Sequence, residues 1–333
     1  MASRRGAGPT RVVSVNVKGQ PARQTSADWG RRDLLTAVVD GIEGLGWRDV
    51  DIVLFPAGYF RLKLALGTLD AAERAETLDR SEIGPPCRRA AERLAIGCGA
   101  ILVVGVDTEP YEPGFSGDQM MVAWTGDGVV ATARKVFPSD ADTNGERRDP
   151  LLLHAEDYED AARRLRLKCG SGLLAVCYDA FIFAELALGP TAKRGAMRYA
   201  WDIDDDWIRL KQSGRQRLLS DFKRKVLTKT PRVLLVGIHG FKRPGREVYW
   251  QRHGIATASA ALGGALTVGA AHFRKLPDPE NPTSGVLGAV GVERGHLDLG
   301  LHRKAQRLAP IASATVRVRG QPRLAAVLRL FEA

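Results

Sequence analysis

The residue with the clearest chemical potential is Cys177, which ends the buried-strand pattern Gly172 to Cys177 (GLLAVC). Tyr178-Asp179 then turn the chain toward a helix expected over Phe181 to Leu188. A cysteine placed this way sits on an elbow, with its thiol exposed and a helix N-terminus close by. The helix dipole favours the thiolate, the form of sulfur that attacks carbon. Taken alone, the same position also suits an inert buried thiol, because free cysteine is often buried. The other cysteines, Cys87, Cys98 and Cys169, make no CxxC pair and no Cys/His spacing suited to zinc. His239, His253 and His272 are spaced in no compact ligand pattern, so no metal is expected. Asp202, Asp204, Asp205 and Asp206 read as the acidic start of a helix rather than a cation site. The chemistry on offer is nucleophilic and calls for no cofactor.

The elements that must position this thiol alternate along the chain. Strands are predicted at Val12 to Val17, Val50 to Phe55 (halted by Pro56), Ala100 to Val106 and Gly172 to Cys177, and again at Arg232 to Ile238, Ala265 to Ala270 and Ala314 to Arg319. Met120 to Trp124 and Val129 to Val136 form a predicted hairpin around Gly126-Asp127-Gly128. Helical spacing marks Asp33 to Leu45, with Asp33 as N-cap, then Cys87 to Ile96, Val248 to Leu262 and a terminal amphipathic helix over Arg323 to Phe331. Strands alternating with helices, with hairpins between, predict mixed α/β layers rather than a purely parallel sheet.

Composition narrows the class. With 44% apolar residues in 333, the chain has ample material for a core, and 7% aromatics make that core chiefly aliphatic. The N-terminal residues 1 to 10 are basic and Gly-rich and lack an apolar run, so they read as a flexible lead to a single domain over 11 to 333. Reduced thiols and a cytoplasmic location are the corresponding expectations. Gly254 to Ala271 is long enough to span a bilayer, but its Ala, Gly, Ser and Thr content favours a buried helix and strand, and no membrane contact is expected. The formal net charge is +11. Residues 191 to 230 hold eleven Lys and Arg against five Asp, about half of that excess, and read as a basic insertion, helical from Asp204 to Leu227. A solvated amphipathic helix and a nucleic-acid contact both fit it.

Three landmarks, in order, resemble the nitrilase or carbon–nitrogen hydrolase superfamily. DIVLFPAGYF (Asp51 to Phe60) is similar to that family's strand ending in Phe-Pro-Glu, and ATARKVF (Ala131 to Phe137) to its lysine-bearing strand. GLLAVCYD (Gly172 to Asp179) resembles its nucleophile elbow, and Tyr249 to Phe273 resembles the helix and strand of the second half of its sandwich. The resemblance implies a four-layer α-β-β-α sandwich, pairing of subunits into a homodimer or larger assembly, and a small amide or nitrile as substrate. It implies Cys177 as nucleophile and Lys135 at the oxyanion, although Lys135 also fits an exposed edge-strand lysine. Loops after Tyr59, around Asp140 to Asp149 and near His239 would shape the pocket, and Tyr59, Tyr178, Asp179 and His239 become candidate substrate contacts.

The sequence departs from the family where the general base belongs. The position of the first glutamate is Ala57, and a methyl group carries no proton. Glu146 is the candidate for the family's second glutamate and for a replacement base. Three functions therefore stand side by side. The first is a thiol hydrolase with a substitute base, and the second is a nitrilase-like pseudoenzyme that binds a ligand. The third is a nucleic-acid-associated protein acting through residues 191 to 230.

Overall fold

A computed structural model of the chain describes residues 9–22, 29–66, 69–109, 117–136, 161–168, 170–183, 227–241, 245–281, 283–285, 287–289 and 308–332, with short pieces at 200–201, 207–208, 220 and 224–225. In chain order the elements are β1 (Arg11–Lys18), α1 (Trp29–Gly44), β2 (Ile52–Leu54), β3 (Phe60–Leu62), α2 (Ala71–Arg80), α3 (Gly84–Cys98), β4 (Ile101–Thr108), β5 (Gln119–Thr125) and β6 (Gly128–Arg134). Next come β7 (Arg164–Leu167), β8 (Gly170–Val176), β9 (Ala200–Trp201), β10 (Trp207–Ile208) and β11 (Val233–Ile238). The last part holds α4 (Arg246–Trp250), a π-helical turn (Gln251–Ala256), α5 (Thr257–Ala261), β12 (Leu266–Phe273), β13 (Gly288–Ala289), β14 (Ala312–Val318) and β15 (Gln321–Glu332).

The strands form mixed sheets, as the alternating pattern predicts. One runs β6-β5-β4-β2-β1-β15-β14, with β1, β2 and β4 parallel. The other runs β7-β8-β11-β12-β13, with β8, β11 and β12 parallel. The two join where the ends of β1 and β12 pair at Val17 with His272 and Lys18 with Phe273.

Strand periodicity sorts the side chains of the first sheet into two cores. Val13, Val15, Val53, Leu102, Val104, Met120, Val122 and Trp124 pack with Leu34, Val38, Leu78 and Leu94 of α1 to α3. The alternate residues Val12, Ile52, Leu54, Val103, Met121 and Ala123 pack with Leu174, Val176, Leu234 and Val236 of the second sheet. Ile255, Ala256 and Ala258 join that second core, so the helical segment after Gly245 lies against the second sheet. Strands buried on both faces read as continuous apolar runs, which is why VVSVNV and RVLLVGI look as they do.

Several local expectations change. The segment Arg323 to Phe331 is not a helix but most of β15, paired antiparallel with β1 on one side and β14 on the other. Its Leu- and Ala-rich composition suits a helix, yet Ala325 to Phe331 are all buried because both faces are covered. Arg329 is tolerated there because its guanidinium donates to the carbonyls of Asp278 (3.0 Å) and Asn281 (3.2 Å). Helix α1 starts at Trp29, so Asp33 lies inside it and caps nothing; its carboxylate accepts from Gln321 Nε2 at 3.3 Å. Helix α2 is capped by Asp70, whose carboxylate accepts from the Ala72 and Glu73 N–H groups. Where it is described, the basic stretch departs from a helix at Trp207–Ile208, which pairs as β10 with β9; most of residues 191 to 230, and Glu146, lie outside the described residues. No helix among the described residues is long and apolar enough to cross a membrane.

Candidate active site

Strand ends of the two sheets meet at one point. Cys177 follows β8 directly, Lys135 follows β6, His239 follows β11, and Asp107 is the second-last residue of β4. Asp107 in β4 and His239 just past β11 each lie two positions after a glycine, Gly105 and Gly237, on the side of the chain to which that glycine belongs. A Cβ on Gly105 would stand 2.3 Å from Ala57 Cα, and one on Gly237 would stand 2.0 Å from Met121 Sδ and 3.1 Å from Ala57 N. The two glycines thus let the turn Pro56 to Gly58 lodge between the sheets, and beyond it Asp107 and His239 face each other.

Cys177 adopts φ 46°, a left-handed conformation that a non-glycine residue rarely takes and that costs on the order of 1–3 kcal/mol. This bend turns the chain from the extended Val176 into a 3-10 turn over Cys177–Phe181, an elbow as the sequence suggests, but one whose cysteine is buried rather than exposed because it packs in the core shared by the two sheets. Residues 184 to 188 of the expected helix lie outside the described residues. Asp179, on the same turn, accepts from the Val136 N–H through both carboxylate oxygens, at 3.0 and 3.1 Å. The Arg163 guanidinium stands 3.9 Å from it. Asp179 is buried, and its bonds tie the residue after Lys135 to the cysteine elbow.

His239 Nε2 lies 3.0 Å from Asp107 Oδ1, and the imidazole is near enough to the Cys177 thiol to act on its charge. The main chain of His239 acts on the thiol in the same direction. Burial by itself raises the Cys177 thiol, but the Lys135 ammonium and the bonds from His239 outweigh it and hold the thiol below its ordinary value. Burial likewise acts to lower His239, but the Asp107 carboxylate, and after it Cys177, push the imidazole up to about 10. Both shifts run in the direction of a thiolate beside an imidazolium, with the Asp107 carboxylate against the ring. Lys135 is 1% exposed, and its ammonium donates to Gln119 Oε1 at 2.9 Å. A buried ammonium beside a sulfur is placed to meet negative charge that develops there.

Of the residues singled out in the sequence, the fold brings Cys177, Lys135 and His239 together, with Ala57 fully buried in the adjoining turn. It does not bring Tyr59 to them. That ring packs in the helix-side core against Phe55 and Phe60, and its hydroxyl donates to the Arg31 carbonyl at 2.7 Å. Tyr178 is half-buried and stacks on Phe181, with ring centroids 4.9 Å apart. His253 packs on Tyr249, and His272 is buried and neutral, held down by desolvation and by the charges of Arg31 and His239. No group of three metal-ligating side chains suited to a metal ion occurs among the described residues. Asp107 belongs to no landmark of the sequence. Its one mark is that Gly-Val-Asp ends a buried apolar run as Gly-Ile-His does at 237–239.

No family model matches the chain, and no curated protein does. Among solved structures it is similar to a mutant amidase from Nesterenkonia sp. AN1 in complex with acrylamide, at 13% identity over 100% of this chain and 93% of that one, with a TM-score of 0.44. It is similar to Nit3 of Saccharomyces cerevisiae, a member of branch 10 of the nitrilase superfamily, at 9% identity over 100% and 92% of the two chains and a TM-score of 0.48. A CN-hydrolase superfamily protein of Xanthomonas campestris, with an arsenic adduct in its active site, is 14% identical over 79% and 76%, with a TM-score of 0.44. At these identities and TM-scores the likeness assigns no residue a role. The solved structures that the chain is similar to include members of the nitrilase, or CN-hydrolase, superfamily.

Proposed function

We propose that this protein is a nitrilase-like carbon–nitrogen hydrolase of the thiol amidase type, in which His239 and Asp107 take over the role of the missing glutamate. The observation that carries this reading is the 3.0 Å contact of His239 with Asp107, at a strand end where the imidazole and Lys135 both lower the Cys177 thiol. It supplies a proton carrier where Ala57 supplies none, and it makes Glu146 unnecessary as the replacement base.

The proton balance closes with these groups alone. The Cys177 thiolate attacks the carbonyl carbon of a small amide, and the oxyanion that forms faces the Lys135 ammonium and the N–H groups of the elbow. The His239 imidazolium gives its proton to the leaving nitrogen, the C–N bond breaks, and ammonia or an amine departs from a thioester. Acylation removes the thiolate charge that helped hold the proton on His239. The neutral imidazole then takes a proton from water, the resulting hydroxide attacks the thioester carbon, and the C–S bond breaks. The carboxylic acid leaves, and the thiolate–imidazolium pair is restored. Asp107 holds the ring in orientation and stabilises its charged form. A small nitrile enters by the same sulfur attack, and a homodimer or larger assembly belongs to this reading.

The test is release of ammonia or amine from a panel of amides, esters and nitriles, with single-turnover kinetics. A burst is expected in the natural protein, lost in Cys177→Ala and slowed about 10²–10⁴-fold in His239→Ala. Unchanged turnover in His239→Ala overturns the base assignment. A second reading, a ligand-binding protein without catalysis, is favoured by Ala57 alone. It prevails if no substrate turns over and Cys177 resists iodoacetamide near neutral pH.

A further inference from the structure

We propose that Gly58 is a positioning residue for the Asp107–His239 pair, and that its missing side chain is what lets the pair close. This rests on the hydrolase reading for its catalytic meaning but not for its geometry. Gly58 lies at φ 63°, where side-chain-bearing residues are strained. A Cβ there would stand 2.8 Å from Asp107 Oδ2, 2.9 Å from His239 Cδ2 and 2.9 Å from Pro21 Cβ. The carboxylate and the imidazole thus both crowd the place that a side chain at position 58 would fill. The Gly58 carbonyl accepts from the Ala22 N–H at 2.8 Å, which fixes the turn from behind. Pro56 and Ala57 are wedged between the two strands at Gly105 and Gly237, two residues before Asp107 and His239.

The turn that carries a proton-transferring glutamate in the resembled family carries here the surface on which a different base is seated. Ala57 and Gly58 act together in this. One vacates the place of the carboxylate, and the other lets the imidazole and its partner approach. A methyl group at 58 would push His239 off the sulfur, off Asp107, or both.

The decisive measurement is the pH dependence of Cys177 alkylation by iodoacetamide, read by mass spectrometry on the Cys177 peptide, in Gly58→Ala, Gly58→Asn and Gly46→Ala. Gly46 has φ 66° and nothing within 4 Å of the point where a Cβ would stand, so its variant carries the backbone strain without the contact. Asparagine tolerates a left-handed conformation better than alanine and brings the same Cβ. The expected result is a midpoint raised by on the order of one pH unit in both Gly58 variants and unmoved in Gly46→Ala. A Gly58 variant that folds and keeps the natural midpoint overturns the proposal. So does failure of both Gly58 variants to fold while Gly46→Ala folds, because glycine would then serve the fold and not the pair. If no amide, ester or nitrile is hydrolysed but the midpoints shift as expected, the hydrolase reading falls and the positioning role stands.

Discussion

His239 and Asp107 meet at 3.0 Å although they end strands of different sheets and are separated by 132 positions in the chain. Their contact bridges the two sheets at the mouth of the shared core, and it turns a histidine that would otherwise be desolvated and neutral into a cation beside a thiol. The fate of the thiol follows from that charge and from the ammonium of Lys135.

Replacing Asp107 by Asn removes the largest influence holding the proton on His239. The imidazole should then fall from about 10 toward or below the ordinary histidine value, because burial is left opposed only by the thiolate. Hydrolysis that depends on a protonated His239 should lose its alkaline limb at lower pH in D107N than in the natural protein. A rate–pH profile of kcat/KM from about pH 5 to about pH 10.5 reads this directly.

Removing the ammonium in Lys135→Met leaves burial less opposed, so the Cys177 thiol should rise. Alkylation near neutral pH should slow, and turnover should fall by about 10²–10³-fold as the oxyanion loses its partner. Circular dichroism and alkylation kinetics on the same sample separate loss of charge from loss of fold.

Placing a glutamate at position 57 should not raise activity. Ala57 is fully buried in a turn wedged against Gly105 and Gly237, so a longer side chain overpacks the junction and brings a carboxylate beside an existing base pair. Urea unfolding of Ala57→Glu should show a loss of about 1–3 kcal/mol, with turnover lowered rather than raised. A gain in turnover would mean that the turn has room that the natural geometry does not use.

Stability should depend on pH through the same pair. His239 is raised on folding, so its contribution is whole below about pH 6.5 and is lost as the pH climbs through about 10. Cys177 is lowered from 9.0, so its share is whole above that value and is lost as the pH falls through the depressed one. Urea midpoints for the natural protein and His239→Gln should therefore converge above about pH 10.

The local chain determined much on its own. Buried strands such as GLLAVC and RVLLVGI, the Gly-Asp-Gly hairpin and the elbow at Cys177 are visible in sequence, because apolar runs, turn residues and strand length act within a few positions. The absence of a base at Ala57 is equally legible. What only the tertiary structure decided depends on partners distant in sequence. Residues 323 to 331 are a strand because β1 and β14 cover both sides, against the helical preference of their Leu and Ala. Asp107 becomes part of the candidate site because Gly105 and Gly237 allow the 56–58 turn between two sheets, and no local pattern encodes that approach. A pair of this kind depends on two strand ends 132 positions apart being brought together, which no pattern within a few residues marks.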